Sequence, residues 1–435
     1  MTRILFTTMP MAGHLRPGLP IAAQLLADGH EVAWYSGANY EHLIRRVGAQ
    51  VFRMSAEADV DDNGLDEKVN GGRKPNLGTL KRAIMDVFIA PIPLWVQEID
   101  AIIDEFRPDV VVAEQGFMAG PIAAERRGIR RVVFNTSPLG ISSVDAAPFG
   151  TGLLPSSSAL GRLRNRSLNW AIRSVVFAEA QRAAEQMRER LGLPPIDAYF
   201  MDWGVEIADR YLVPTVPDFE YPRRDLPEKV EFVGPFLPEG VDDWTPPEWW
   251  ADVLAARAAG RPVVLVTQGT IATDPRNLLL PAIEGLADSD ALVIVTTVGF
   301  DADEVIPPEQ RPANVRLTDF VPFTELLPLT DLMITNGGYG GVQLALANGV
   351  PLVVAGLTED KMEVSARVIW SGTGVALKTD TPSSRQVQQA TATVLGDPAY
   401  RARAQELRAA FAEFRGAARA AESVLEVAGE LVPTA

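Results

Sequence analysis

The 435-residue chain exceeds the size at which a single hydrophobic core stops growing, so two domains are expected. Its composition, 47% hydrophobic and 22% charged, excludes intrinsic disorder, and its net charge of −16 sets an acidic surface against any nucleic-acid backbone. The absence of cysteine excludes disulfides, thiolate nucleophiles and thiolate metal sites, and no apolar run approaches the roughly 18 residues that span a bilayer.

The first half alternates strand and helix signals. Ile4 to Thr8 reads as a strand and Pro17 to Asp28 as a helix, with Leu19, Ala22, Ala23 and Leu26 on one face. The opening apolar run is too short for an export signal, so the expected location is cytoplasmic. Val32 to Ser36 and Gln50 to Met54 are the next strands, with a helix from Ala38 to Val47 between them. Asp109 to Ala113 and Arg131 to Asn135 follow, separated by a helix that stops at Gly128. Continuous Val/Ile runs of this kind belong to buried parallel strands, and their alternation with helices predicts an α/β domain over 1–213. Two looser stretches, 55–76 and 138–163, read as long functional loops.

Prolines crowd 214–247, which predicts an interdomain linker over 214–260. A second α/β series then runs through 263–267, 291–298, 314–317, 332–335 and 351–355, giving a second domain over 261–410. The pattern from 383 to 430 is helical, and 411–435 is expected to pack back on the first domain.

The strongest motif is Asn336-Gly337-Gly338-Tyr339-Gly340-Gly341, between a strand and the helical run that opens at Val342. Glycines let the backbone approach an anion, and free N–H groups with the helix dipole attract phosphate. A tight turn explains one such glycine, but not four in six residues. Gly269-Thr270 ends the first strand of the second domain, where ligands of open α/β sheets collect; a simple capped loop explains it equally well. His14 lies in a Gly-His loop after the first strand, placed for general-base work, while His30 and His42 read as structural or solvated. Glu114 ends the strand Asp109–Ala113 and reaches the same sheet edge. Glu359, Asp360 and Lys361 follow the last strong strand; they suit sugar hydroxyls, or an ordinary charged helix start. The Asp-x-Asp pairs beginning at Asp59, Asp288 and Asp301 are expected by chance among 56 acidic residues, and no metal is expected.

In these motifs the chain resembles the GT-B-fold glycosyltransferases of family one, the UGT and antibiotic glycosyltransferase type. GHLRPGLPIAAQLLADGHEV resembles the family's opening, and the run from Asp319 to Leu377 resembles its nucleotide-sugar signature. The resemblance implies two doubly wound Rossmann-like domains facing a cleft. It implies an inverting transfer from a UDP- or dTDP-sugar to a hydrophobic small acceptor, without metal or other cofactor, in a monomer or homodimer. His14 matches the general base. Glu114 stands where an Asp is usual. Gly269, Thr270, Asn336, Gly337, Gly338, Gly340, Gly341 and Val342 match the diphosphate site. Phe320, Val321 and Gln343 match the nucleobase and ribose site, and Glu359, Asp360 and Lys361 the donor-sugar site. Several positions depart from the family pattern. Asn336 replaces a His, Leu344 a ribose-binding Glu, and Lys361 a Gln. Trp95, Phe88, Met85 and Phe149 are candidates for an acceptor pocket or for core. Two other readings stay open on these residues: a nucleotide-sugar epimerase of the same fold, and a non-catalytic sugar-nucleotide-binding auxiliary protein.

Overall fold

The computed structural model describes residues 1–60, 77–237, 244–269, 274–297 and 301–429. The expected Thr270 and the greater part of the 55–76 loop lie outside them. Thirteen described strands form two parallel sheets. The first contains β1 (Arg3–Thr7), β2 (Glu31–Ser36), β3 (Gln50–Arg53), β4 (Val110–Glu114), β5 (Arg130–Phe134), β6 (Arg210–Val213) and β7 (Val230–Phe232). Its spatial order is β3-β2-β1-β4-β5-β6-β7. The second contains β8 (Val263–Thr267), β9 (Leu292–Thr296), β10 (Val315–Thr318), β11 (Leu332–Thr335), β12 (Leu352–Val354) and β13 (Gly374–Ala376). Its order is β10-β9-β8-β11-β12-β13. The fold is α/β, two Rossmann-like domains.

The central strands are buried on both faces. Ile4, Leu5, Phe6, Val110, Val111 and Val112 are fully inaccessible, as are Val263 through Val266. Burying each such side chain contributes about 1.5–3 kcal/mol relative to leaving it exposed, which is why these runs carry no alternation. In both sheets the order reverses beside the first strand. β1 lies between β2 and β4, and β8 between β9 and β11. The loops after the paired strands diverge to opposite faces there and leave a crevice at the carboxyl edge. Each domain therefore has one such crevice, after β1 and β4 and after β8 and β11.

The stretch 214–260 is more than a connector. It contributes β7, which pairs with β6, and the helix Trp250–Ala258, whose Val253 and Ala256 pack in the second domain's core. Its prolines punctuate these short elements. The strands β6, β7 and β13 add to the series read from sequence, and each is three or four residues long. The helical pattern after 383 resolves into Ser384–Gly396, Pro398–Ala412 and Ala417–Ala428. The last of these returns to the first domain, placing Ala420, Ala421, Val424 and Leu425 among Ile4, Phe6, Leu15 and Leu25. Arg419 secures it by donating to Glu231 of β7 at 2.6 Å and to Glu426 at 2.7 Å.

Candidate active site

The first crevice holds His14 and Glu114. Met11 caps a short helix, Ala12–Leu15, that turns the chain immediately after β1 and leaves the imidazole 29% exposed at the sheet edge. Glu114 is the last residue of β4 and is fully buried. Its Oε2 lies 2.9 Å from His14 Nδ1, and neither atom has another hydrogen-bond partner among the described residues. The backbone N–H of Gly116 donates to Glu114 Oε1 at 2.6 Å, and the Thr136 hydroxyl approaches the same oxygen at 3.5 Å. Gly116 has a steric reason to be glycine: a Cβ there would stand 3.0 Å from Oε1 and 3.2 Å from His14 Cε1. The carboxylate is thus held in place, and the extra methylene relative to Asp does not prevent the pairing.

Burial works against a charged imidazole, but Glu114, with smaller help from Asp360 and Glu359, outweighs it. The net result is a His14 pKa above the ordinary value of 6.5. Stability from this pair is therefore present below the unfolded-state pKa and lost as pH rises through the raised folded value. A base must be neutral to accept a proton, so turnover should fail as pH drops through that value. The acid limb of kcat/KM is expected above the unperturbed histidine value. Glu114→Gln should move it downward, since burial then dominates, and should lower the plateau. An unmoved limb in pH–rate profiles of the two proteins would remove Glu114 from this role.

The second crevice is built of backbone. The helix Tyr339–Ala347 starts at the N-cap Gly338. A helix leaves its first N–H groups without internal acceptors, here those of Gly338, Tyr339, Gly340 and Gly341. Gly338 and Gly340 have open space where a side chain would stand, so an anion can approach the backbone. Gly337 has φ +88°, and a Cβ there would press on Val354 at 2.6 Å. Two expectations change. Val342 is fully buried and its N–H donates to Gly338 C=O at 3.0 Å, so it is not available to a phosphate. Asn336 is nearly buried, and its amide donates to the Gln268 carbonyl. Asn336 thus ties the β11 loop to the β8 loop, against Gly269 with its φ of +74°.

Phe320, just after β10 at the same carboxyl edge of the second sheet, is 62% exposed. Val321 is core, so only its backbone faces outward chemistry. Gln343 is buried with Oε1 unpartnered among the described residues. Asp360 precedes the helix Lys361–Ser371, and its pKa is pushed up to about 6 by burial, then by Glu359. Lys361 is buried, and its Nζ pairs with Glu359 at 2.8 Å and donates to Thr358 at 3.2 Å. Glu359 has a positive φ of 54°, an uncommon conformation for a residue with a side chain. The interaction of Asp360 and Glu359 with His14 places these acids within electrostatic reach of the imidazole across the cleft.

Among the remaining candidates, Trp95 is core, while Met85, Phe88 and Phe149 are partly buried. Trp95 is fully buried, donates to Ala58 C=O at 2.8 Å and packs on Phe117; Met85 and Phe88 pack around the same core. Phe149 packs over Gly140. His30 accepts from the Thr2 N–H, and His42 contacts Asn39 C=O. Asp301 caps a helix through the Asp303 N–H, which accounts for that Asp-x-Asp pair.

A buried ion network, which motif reasoning did not reveal, joins the two domains. Arg367 donates to both oxygens of Glu220, at 2.9 and 2.6 Å, and to Glu363 at 3.0 Å. Its guanidinium lies 4.2 Å from the Tyr221 ring centroid. Burial opposes the charge on Glu220, but Arg367 and Arg223 prevail and hold its carboxyl below the usual range.

Two Rossmann-like domains, each with a ligand crevice at its switch point, have the GT-B architecture. Residues 281–427 match the family described as erythromycin biosynthesis protein CIII-like, C-terminal domain. The chain is 43% identical over 412 residues to 4'-demethylrebeccamycin synthase of Lentzea aerocolonigenes, covering 94% of this chain and 96% of that protein. It is 32% identical to UDP-glycosyltransferase 2 of Phaeomoniella chlamydospora, covering 93% and 91%. The crystal structure of the calicheamicin glycosyltransferase CalG4 shares the fold, with a TM-score of 0.76 at 22% identity and 100% coverage of both chains. The chain belongs to the family-one GT-B glycosyltransferases. It is an enzyme of the antibiotic glycosyltransferase type that transfers a sugar from a nucleotide sugar. Among the described residues no helix is long and apolar enough to cross a membrane.

Proposed function

We propose that the enzyme performs a single in-line displacement with inversion, moving a sugar from UDP or dTDP to a hydroxyl of a hydrophobic small molecule. The observation that carries this reading is the buried Glu114 carboxylate 2.9 Å from His14 Nδ1, facing the acids that precede the helix Lys361–Ser371. The Nδ1 contact leaves Nε2 as the nitrogen that takes the acceptor proton. As the acceptor oxygen bonds the anomeric carbon, the bond to the diphosphate breaks and its electron pair leaves with the diphosphate. Glu114 stabilises the imidazolium formed. The free N–H groups of Gly338, Tyr339, Gly340 and Gly341, with the helix dipole, stabilise the leaving group. Phe320 stacks on the nucleobase, the Gln343 amide oxygen accepts from the ribose, and Asp360 accepts from donor hydroxyls. The first domain holds the acceptor and the second the donor.

This division predicts what binds without an acceptor. Saturating UDP or dTDP should raise the melting temperature, by the equivalent of about 2.7 kcal/mol at 100 times Kd. Uridine and thymidine, lacking the diphosphate, should have little effect. The same shift with nucleoside alone would place recognition on the base and not on the glycine loop. The reaction needs no metal in this account, so EDTA should leave the rate unchanged. The function is tested by incubating the enzyme with UDP-glucose or dTDP-glucose and a panel of polyketide and flavonoid aglycones. Mass spectrometry should find one hexose added with release of the nucleotide diphosphate. Conversion of the donor to an epimer, with no acceptor consumed, would favour the epimerase reading.

A further inference from the structure

The segment between β5 and the helix Ala159–Ala171 has no regular structure from Ser137 to Ser157, yet its backbone is densely bonded. Carboxylates accept several of its N–H groups. Asp202 accepts from Ser142 N–H at 2.9 Å, Asp225 from Val144 N–H at 2.8 Å, and Glu220 from Leu139 N–H at 2.9 Å. These three acids lie in or beside the first domain. Glu363 is different, because it projects from the helix that Asp360 precedes in the second domain. Its Oε1 accepts from both Gly150 N–H and Gly152 N–H, each at 2.9 Å.

Two N–H groups converging on one oxygen form an anion-binding nest. Both glycines have positive φ, 86° and 61°, a conformation that side chains disfavour. At Gly152 a Cβ would also stand 2.6 Å from Met362 Cγ. Glu363 is itself buried and held at its other oxygen by Arg367, which also donates to Leu139 C=O at 3.1 Å. The loop leaves β5 beside Thr136, which reaches Glu114, so it borders the crevice of His14. Glu363 and Arg367 thus tie a loop that starts beside the first crevice to the helix that Asp360 precedes.

We propose that Glu363 is a positioning residue for the acceptor: by filling the Gly150–Gly152 nest it seats this loop against the donor-side helix and sets the acceptor hydroxyl against His14. The inference rests on the transfer reaction proposed above. Glu363→Ala should raise the acceptor KM and lower the ratio of sugar transfer to donor hydrolysis, by roughly 10- to 100-fold in transfer efficiency. Affinity for UDP or dTDP should stay within about twofold, since Glu363 is not among the diphosphate donors. Glu363→Gln should recover most of the loss, because its amide oxygen still accepts both N–H groups. Gly152→Ala, made on the loop side, should reproduce the Glu363→Ala phenotype without unpairing Arg367. Hydrogen exchange over residues 148–154 should accelerate in Glu363→Ala and Gly152→Ala and not in Glu363→Gln. Unchanged exchange in the folded Glu363→Ala protein would overturn the clamp whatever the reaction is. Faster exchange with unchanged acceptor KM and transfer ratio would overturn its positioning role. Absence of transfer by the wild-type enzyme would instead count against the proposed function.

Discussion

Replacing His14 with Ala is expected to lower kcat for transfer by about 10²–10⁴-fold, the usual contribution of general-base catalysis. The effect should fall on the chemical step. His14 stands in the first domain, so UDP and dTDP should bind the variant as they bind the wild type. The size of the loss should depend on the acceptor. A weakly acidic phenol needs its proton removed and should show the full effect. A nitrophenol already ionised at the assay pH should show a much smaller one. Equal losses with both acceptors would mean that His14 does something other than take a proton.

The second large effect concerns stability. Arg367 is 1% exposed and neutralises two buried carboxylates, Glu220 and Glu363. Arg367→Met roughly keeps volume but removes the cation the two carboxylates share, leaving Glu220 with Arg223 alone. Breaking a buried pair from one side costs about 3–5 kcal/mol, which at about 1 °C per kcal/mol for a chain of this size lowers the melting temperature by roughly 5 °C. The sign of the pH dependence follows from Glu220, whose folded-state pKa is depressed. Its contribution is present above the unfolded carboxyl pKa and is lost as pH falls through the depressed value. In the variant, burial is less opposed and the carboxyl protonates more readily. The stability gap between wild type and Arg367→Met should therefore narrow in acid. Thermal melts at neutral and acid pH check this, and a gap that widens in acid would contradict it.

The parts of this enzyme legible in sequence were those with a strong local cause. Buried central strands show as unbroken Val/Ile runs because both faces must be apolar. The glycine loop shows because the chain must turn from β11 into a helix while leaving its backbone open. His14 and Glu114 were placed by their position at strand ends alone. What sequence did not carry was partner choice. Asn336, expected at the diphosphate, spends one of its two amide N–H groups on Gln268 C=O, a tie its motif position does not announce. Val342 was counted with the phosphate donors because it follows the glycines. Helix geometry makes it the first residue whose N–H is already spent. The Glu220–Arg367–Glu363 network joins residues up to 147 positions apart, and no periodicity announces such a contact.

In the proposed reaction an acceptor activated at the first crevice attacks a sugar held at the second, from the face opposite the leaving diphosphate. The most direct test is the anomeric configuration of the product made from an α-linked UDP- or dTDP-glucose, read by the proton coupling at the anomeric carbon in NMR. Inversion gives a β-linked glucoside. An α-linked product would contradict it, because retention requires either two displacements or attack from the diphosphate side.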